Sequence, residues 1–162
     1  TFGKCLANGF PVSAVAGKAA LLDLFATGGA LHGGTYNAHP ASMAATLATL
    51  RTLADGRVIA AIEPLGRRLM EGIGSILARA GIPATVTGFP QIFHVAFGLT
   101  EPARDWRDLL RVDKPRYIRF CGELLKHRVR ALERGAWFLS ATHDSLVIEE
   151  TLAAVAEAAR AV

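Results

Sequence analysis

The chain has 162 residues, of which 51% are hydrophobic and 20% are charged, and its formal net charge is +4 at pH 7. This length suits one ordinary domain or two small ones, and the composition is that of a folded globular protein rather than a disordered or fibrous one. No run approaches the roughly 18 uninterrupted apolar residues of a membrane span, so we expect no contact with a membrane.

The first third of the chain is divided into short segments by glycines. Residues 11–16 are predicted to form a buried strand and residues 18–25 a short helix. Pro40 suits a first helical position, and the run at 41–53, rich in Ala, Met and Leu, predicts a helix after it. Residues before about 52 do not hold enough regular structure to close a core of their own.

The rest of the chain alternates helices and strands. Apolar residues three and four apart predict a helix at 58–77, with a kink or a restart at Pro64. Alternating residues at 84–98 predict a hairpin broken at 88–90. A basic helix at 115–134, a short strand at 136–139 and a last helix at 145–162 follow. This order suits a small α+β layer.

The positive charge is concentrated in one segment. Residues 104–134 hold ten basic and five acidic side chains, so the remainder has one more acid than base. Apolar residues are interleaved with the basic ones at helical spacing, which indicates an amphipathic helix with a charged outer face. No nucleic-acid-binding motif accompanies the charge, so we expect no nucleic-acid partner.

The start of the chain predicts that more protein precedes it. Thr1 is not an initiator methionine, and no signal-peptide or transit-peptide character follows. The chain enters at once a glycine-rich apolar stretch that is typical of the middle of a fold. We therefore expect it to be the C-terminal part of a longer protein.

Lys4 is the first candidate for chemistry. It lies in an apolar, glycine-flanked segment with no acidic residue near it in sequence. A lysine in an apolar pocket is readily deprotonated and can attack a carbonyl carbon to form a Schiff base. The alternative is an ordinary lysine on a surface loop, and the residues alone leave both interpretations open.

Thr35 is the second candidate. It follows two glycines and lies just before the helix predicted to begin near Pro40. Flexible glycines, a hydroxyl group and a helix N-terminus can together hold an anion or a phosphate group. The alternative is a helix that is simply capped by Asn37 or His39.

Histidines and cysteines do not predict a metal site. His32 and His39 are seven residues apart, a spacing that matches no standard zinc pattern. Cys5 and Cys121 are too few for a disulfide framework or a zinc cluster, which favours a cytoplasmic protein.

Two segments resemble the class-III pyridoxal-phosphate aminotransferases, a family that includes the glutamate-1-semialdehyde aminomutase-like enzymes. Residues 1–4 and 8–14 resemble the region around the Schiff-base lysine of that family. Residues 34–40, Gly-Thr-Tyr-Asn-Ala-His-Pro, resemble the segment whose threonine binds the cofactor phosphate, usually across a dimer interface. Residues 134–143 are similar to the closing strand and loop of the family, so the resemblance extends over essentially the whole chain.

The resemblance implies an α/β fold of type I that binds pyridoxal 5'-phosphate. Residues 1–53 would be the C-terminal part of the large cofactor-binding domain, and residues 54–162 the small C-terminal α+β domain. Lys4 would be the Schiff-base lysine and the proton shuttle at the substrate α-carbon. Thr35 would hold the phosphate group of the neighbouring subunit in a homodimer, with Gly34 allowing close approach. The substrates would be a small-molecule amino donor and a keto or aldehyde acceptor.

The chain also departs from the pattern of that family. Residues 5–8 replace its usual run of glycines, and Ala38 stands where it often has glycine. Its aspartate at the pyridine nitrogen, its ring-stacking aromatic residue and its phosphate-binding turn all lie upstream of the lysine. Two alternatives therefore stay open beside amino-group transfer: an internal amino shift of the aminomutase type, and a non-catalytic fragment that packs on a partner chain.

Overall fold

A computed structural model describes all residues from Thr1 to Val162. They form two compact units, Thr1–Arg57 and Val58–Val162, which we call the N-terminal and the C-terminal unit. The boundary between the units therefore follows Arg57, close to residue 53, where the resemblance implies a domain boundary.

The N-terminal unit contains a single 3₁₀ turn at Lys4–Leu6 and two helices, α1 at Ala19–Ala26 and α2 at Pro40–Leu53. Both helices agree with the sequence prediction, and Pro40 begins α2 as expected.

The predicted strand at residues 11–16 is wrong. The segment makes only an isolated bridge, in which Phe2 and Ala14 exchange two backbone hydrogen bonds of 2.7 and 2.9 Å. A strand needs a neighbour along its whole length. Here the neighbouring segment, which includes Phe2, turns away at the 3₁₀ turn. Pro11 also has no N–H group to donate to a ladder.

Very little of the N-terminal unit is buried. Only Ala7 and Ser42 are buried among its residues, whereas Leu31 is 98% exposed. This agrees with the expectation that the first third of the chain does not close a core of its own.

The C-terminal unit is built on a long helix and a small sheet. Helix α3, at Arg57–Arg79, begins at the last residue of the N-terminal unit and runs through Pro64 without a restart, contrary to one of the two expectations for that proline. Its buried face, which includes Leu69 and Ile73, compensates for the backbone hydrogen bond that a proline cannot donate. The remaining elements are β1 at Ala84–Phe89, β2 at Ile92–Phe97, α4 at Trp106–Leu109, α5 at Lys114–Lys126, β3 at Ala136–Phe138 and α6 at Ser145–Arg160.

The sheet is antiparallel in the order β1-β2-β3. The predicted hairpin is confirmed, and its register pairs Ala84 with Phe97 and Phe89 with Ile92 across a two-residue turn. Gly135 leads into β3 with a φ of 91°, and a Cβ atom there would lie 2.7 Å from the backbone oxygen of Val95. Only glycine fits this close approach of β3 to the central strand.

Every long element of the C-terminal unit contributes to one core. The ring of Phe97 packs 5.1 Å from that of Phe120, and the ring of Phe93 stacks 5.9 Å from that of Trp137. Trp137 donates its indole N–H group to the hydroxyl group of Tyr117 at 2.9 Å, so the buried polar atoms are paired. The other fully buried members include Ile73, Leu77, Val95, Leu124, Ile148 and Val155.

The basic segment has a different shape from the predicted one. Helix α5 ends at Lys126 rather than near residue 134, because Arg128 adopts a left-handed φ of 66° and Val129 donates its N–H group back to Leu124 at 3.0 Å. The short α4, which the sequence pattern does not predict, begins after the cap Asp105. Acidic neighbours pair with several of the exposed basic side chains, as expected for a solvated face.

Candidate functional site

Lys4 opens the 3₁₀ turn of the N-terminal unit. Its backbone is left-handed, with a φ of 54°, which costs a residue with a side chain about 1–2 kcal/mol. Two sets of hydrogen bonds hold it there: the bridge between Phe2 and Ala14, and the N–H group of Leu6 donated to Gly3 at 3.2 Å. The constrained backbone therefore fixes the direction in which the lysine side chain leaves the main chain.

The residues of this chain do not form the apolar pocket considered for Lys4. Its side chain is exposed, Cys5 next to it is exposed, and Phe2 is 57% exposed. The Lys4 amine forms no ion pair and lies exposed at the surface of the N-terminal unit.

Thr35 lies in a tight turn that comes directly before α2. Asn37 donates its N–H group to Gly34 at 3.1 Å, and His39 donates to Tyr36 at the same distance. A Cβ atom at position 34 would lie 2.9 Å from the side-chain oxygen of Asn37, so any other residue at this position would require the Asn37 side chain to shift. The Thr35 side chain is exposed and makes no hydrogen bond within the chain.

The start of α2 is open to an anion. His39 occupies the N-cap position, but neither it nor Asn37 caps the helix with its side chain. The first N–H groups of a helix carry partial positive charge and need acceptors. The capped-helix alternative for the Thr35 turn is therefore not realised by a side chain.

Ser42 is a residue that the sequence prediction missed. It is 2% exposed, and its hydroxyl group donates to the backbone oxygen of Pro11 at 3.0 Å. The 3₁₀ turn that carries Lys4 also contacts α2. Lys4 and Thr35 thus lie on two segments that the N-terminal unit joins. A serine in a helix rich in Ala, Met and Leu has no motif around it, so no signal in the sequence marked it.

Outside these segments, we find no other chemical centre. No group of three His, Cys, Asp or Glu side chains could hold a metal ion. Neither cysteine forms a disulfide, and burial raises the pKa of the Cys121 thiol to about 11, which keeps it protonated and unreactive. None of the helices is both long enough and apolar enough to cross a membrane.

Comparison with known proteins gives a family. The model of the aminotransferase class-III family matches residues 1–159. The glutamate-1-semialdehyde 2,1-aminomutase of Methanothrix thermoacetophila is 36% identical over 157 residues, which are 95% of this chain and 36% of that protein. The chain spans about a third of the length of the curated relatives it matches.

Solved structures agree with the sequence comparison. An omega-transaminase from Sphaerobacter thermophilus superposes with a TM-score of 0.83 at 30% identity, over 96% of this chain and 36% of that one. A transaminase with PLP bound superposes with a TM-score of 0.81 at 26% identity, over 98% of this chain and 38% of that one. The α/β fold of type I that the resemblance implied is confirmed, and the chain belongs to the class-III aminotransferase family.

Proposed function

We propose that this chain is part of a pyridoxal-phosphate-dependent aminotransferase of class III. The reaction would move an amino group from a small-molecule donor to a keto or aldehyde acceptor. The observation that carries the proposal is the family match over residues 1–159, which includes both candidate segments. Within that enzyme, residues 1–53 would complete the large domain and residues 54–162 would form the small one.

The residues present fit pyridoxal phosphate by the chemistry of their donors. A Schiff base with an aldehyde requires a primary amine, and the exposed Lys4 side chain carries one that makes no ion pair. A phosphate group requires hydrogen-bond donors, and the unpaired Thr35 hydroxyl lies next to the uncapped start of α2. Gly34 has no side chain, which suits a backbone that a phosphate group approaches closely.

Each residue would have one role. Lys4 would be the Schiff-base lysine, and its Nζ atom would afterwards accept and return the proton at the substrate α-carbon. Thr35 would donate its hydroxyl group to the phosphate, and Gly34 would allow the approach. The cofactor, when bound, supplies the electron sink for this proton transfer, while the protein supplies position and proton.

The aminomutase is the second candidate. It is favoured by the name of the Methanothrix thermoacetophila relative, a glutamate-1-semialdehyde 2,1-aminomutase that is 36% identical to this chain over 157 residues. An internal amino shift needs the same lysine and the same phosphate contact. Assays with a separate keto acceptor distinguish the two reactions, since an aminomutase rearranges one substrate without a second one.

We also propose a cytoplasmic homodimer. The Thr35 side chain points to no group of its own chain, which suits a residue that serves the cofactor of a neighbouring subunit. Two cysteines that do not pair suit a reducing compartment.

The test is a pair of lysine variants in the whole protein. We expect Lys4→Ala to abolish both turnover and the visible absorbance of bound cofactor. Lys18→Ala is the matched control, because Lys18 is the next lysine, is exposed and makes no side-chain cap at α1. Reduction with borohydride followed by peptide mapping should label Lys4 alone. Full turnover in Lys4→Ala would show that Lys4 is not the catalytic lysine, whereas labels scattered over surface lysines would favour a non-catalytic fragment.

Thr35 is tested in the same protein. Replacing it by Ala removes one hydrogen bond to a charged group, worth about 1.5–3 kcal/mol, so cofactor affinity should fall at least tenfold. Thr35→Ser keeps the hydroxyl group and should bind the cofactor almost as tightly as the wild type. Equal affinity in the Ala and Ser variants would remove Thr35 from the phosphate site.

A further inference from the structure

We propose that Ser42 is a positioning residue, which fastens the loop that carries Lys4 to the first turn of α2. The inference rests on the proposed function in one respect, namely that Lys4 and Thr35 bind pyridoxal phosphate. Its structural part, a single hydrogen bond that joins the two segments, is independent of that function.

The hydrogen bond of Ser42 is unlike those of the other hydroxyl groups on α2. Serine and threonine inside a helix commonly point to water or bond back to the carbonyl four residues earlier. The threonines of α2 bond back in this way: Thr46 to Ser42, Thr49 to Ala45 and Thr52 to Ala48, at 2.8–3.0 Å. Ser42 instead reaches a carbonyl 31 positions away in the sequence.

The burial of Ser42 shows that this bond is a built feature. Ser42 and Ala7 are the only buried residues of the N-terminal unit, and Ser42 is the only polar one. A buried hydroxyl group without a partner would be costly, so its bond to Pro11 is maintained wherever this unit keeps its fold.

The Ser42 bond attaches the loop at residues 2–14, which carries Lys4, to α2. The bridge between Phe2 and Ala14 closes the base of the loop, and Lys4 lies inside it on a left-handed backbone. Pro11 belongs to the same loop, so Ser42 ties the loop to the helix that begins directly after the Thr35 turn.

The hydrogen bond of Ser42 holds the backbone of the lysine loop against the helix that follows the Thr35 turn. The left-handed backbone of Lys4 is unfavourable by itself, so it persists only while its surroundings hold it. Removing the Ser42 hydroxyl removes the hydrogen bond between the loop and α2, and the loop that carries Lys4 is then held less firmly to the helix. The same change leaves every atom of Lys4 and Thr35 in the protein.

The test compares Ser42→Ala with Thr46→Ala in the whole protein. Thr46 is the matched control, because it is half-buried on the same helix and its hydroxyl group bonds only within that helix. We expect Ser42→Ala to weaken pyridoxal-phosphate affinity about three- to tenfold, the value of one hydrogen bond, and to shift the pH midpoint of the cofactor absorbance. Thr46→Ala should leave both quantities at the wild-type value.

A second readout needs no cofactor. In the protein freed of pyridoxal phosphate, the amides of Phe2 and Ala14 should exchange with deuterium faster in Ser42→Ala than in Thr46→Ala. If Ser42→Ala does not fold, Ser42→Cys, which keeps the size and a weak donor, should show the same changes at smaller amplitude.

The outcomes separate the two proposals. Absence of cofactor labelling at Lys4 in the wild type would overturn the proposed function, and amide exchange would then decide the Ser42 anchor alone. Equal exchange in the Ser42 and Thr46 variants would overturn the anchor. Faster exchange with unchanged affinity and an unchanged pH midpoint, in a wild type that labels at Lys4, would reduce Ser42 to a structural role and overturn its positioning role.

Discussion

The two units of this chain differ in what holds their residues in place. The C-terminal unit has a shared core to which α3, α5, α6 and the sheet all contribute. The N-terminal unit buries only Ala7 and Ser42, and its distant segments are joined by one backbone bridge and one side-chain hydrogen bond. Stability and the candidate chemistry are therefore located in different parts of the sequence.

The small amount of burial in the N-terminal unit explains why the side chains of the candidate site are exposed. Large apolar side chains of the N-terminal unit are exposed, among them Phe10, Leu21, Leu24, Leu31 and Leu47. Exposed apolar side chains that lie close together are typical of surfaces that bind other protein segments. Substitutions should accordingly have large effects on folding in one unit and small ones in the other.

The largest expected effect is at the centre of the core. Phe120→Ala removes a fully buried ring in contact with Phe97 and should lower the free energy of unfolding by about 3–5 kcal/mol. Leu31→Ala in the N-terminal unit should change it by less than about 0.5 kcal/mol. Urea unfolding of the 162-residue chain measures both. A comparable loss in the two variants would contradict the comparison.

The next effect concerns a buried hydroxyl group. Tyr117→Phe leaves the indole N–H group of Trp137 without its acceptor and should cost about 1–3 kcal/mol. Tyr36→Phe is the control in the N-terminal unit, where the tyrosine is 79% exposed, and it should be neutral. Thermal unfolding followed by circular dichroism distinguishes them, and equal melting temperatures would rule out the buried hydrogen bond.

Two glycines of α3 give a matched pair within the C-terminal unit. A Cβ atom on Gly66 would overlap the backbone carbonyl of Pro90, whereas the nearest side-chain atom to one on Gly74 is 4.0 Å away. We expect Gly66→Ala to destabilise by about 1–3 kcal/mol, since backbone must move. Gly74→Ala should stabilise by up to about 1 kcal/mol, through helix propensity alone. Denaturant midpoints measure both, and the same sign for the two variants would show that α3 does not pack on the hairpin turn.

The last prediction is a pH dependence of the free energy of unfolding. Burial raises the pKa of Cys121 from 9.0 to about 11, and it also raises the pKa of Tyr117. Between pH 9 and 11 the unfolded chain therefore loses protons that the folded chain keeps, so the free energy of unfolding falls as the pH rises through this window. Cys121→Ala should reduce the fall. An unchanged slope in this variant would assign the dependence to other groups.

Local pattern predicted most of the secondary structure. Apolar residues three and four positions apart predicted α3. The last helix, α6, was also predicted, and Asp144 caps it by accepting the N–H group of Val147 at 2.9 Å. Alternation and turn residues predicted the hairpin of β1 and β2. These elements are decided by side chains close to each other in the sequence, which is why they could be predicted from it.

Features that depend on distant partners could not be predicted in this way. Residues 11–16 have the composition of a strand, but a strand forms only against a neighbour, and the chain offers Phe2 alone. The early end of α5 depends on the left-handed backbone of Arg128, which its residue type does not favour.

Some residues of the candidate site could likewise be predicted from the sequence, and one could not. Lys4, Gly34 and Thr35 could be selected because each belongs to a motif. Ser42 could not be selected, because the hydrogen bond that distinguishes it is made to Pro11, 31 positions earlier. Motifs indicate candidate reactive groups, whereas a contact between residues far apart in the sequence is visible only in three dimensions.

The close approach of the backbone at Gly135 also determines which substitutions this chain can tolerate. A single-base change that replaces this glycine pushes a new side chain against the central strand at Val95. At Gly17 and Gly33 a Cβ atom would meet no other atom within 4 Å, and neither residue has a left-handed φ, so the same kind of change is tolerated there. In a library of random variants under selection for folding, position 135 should stay glycine while positions 17 and 33 diversify.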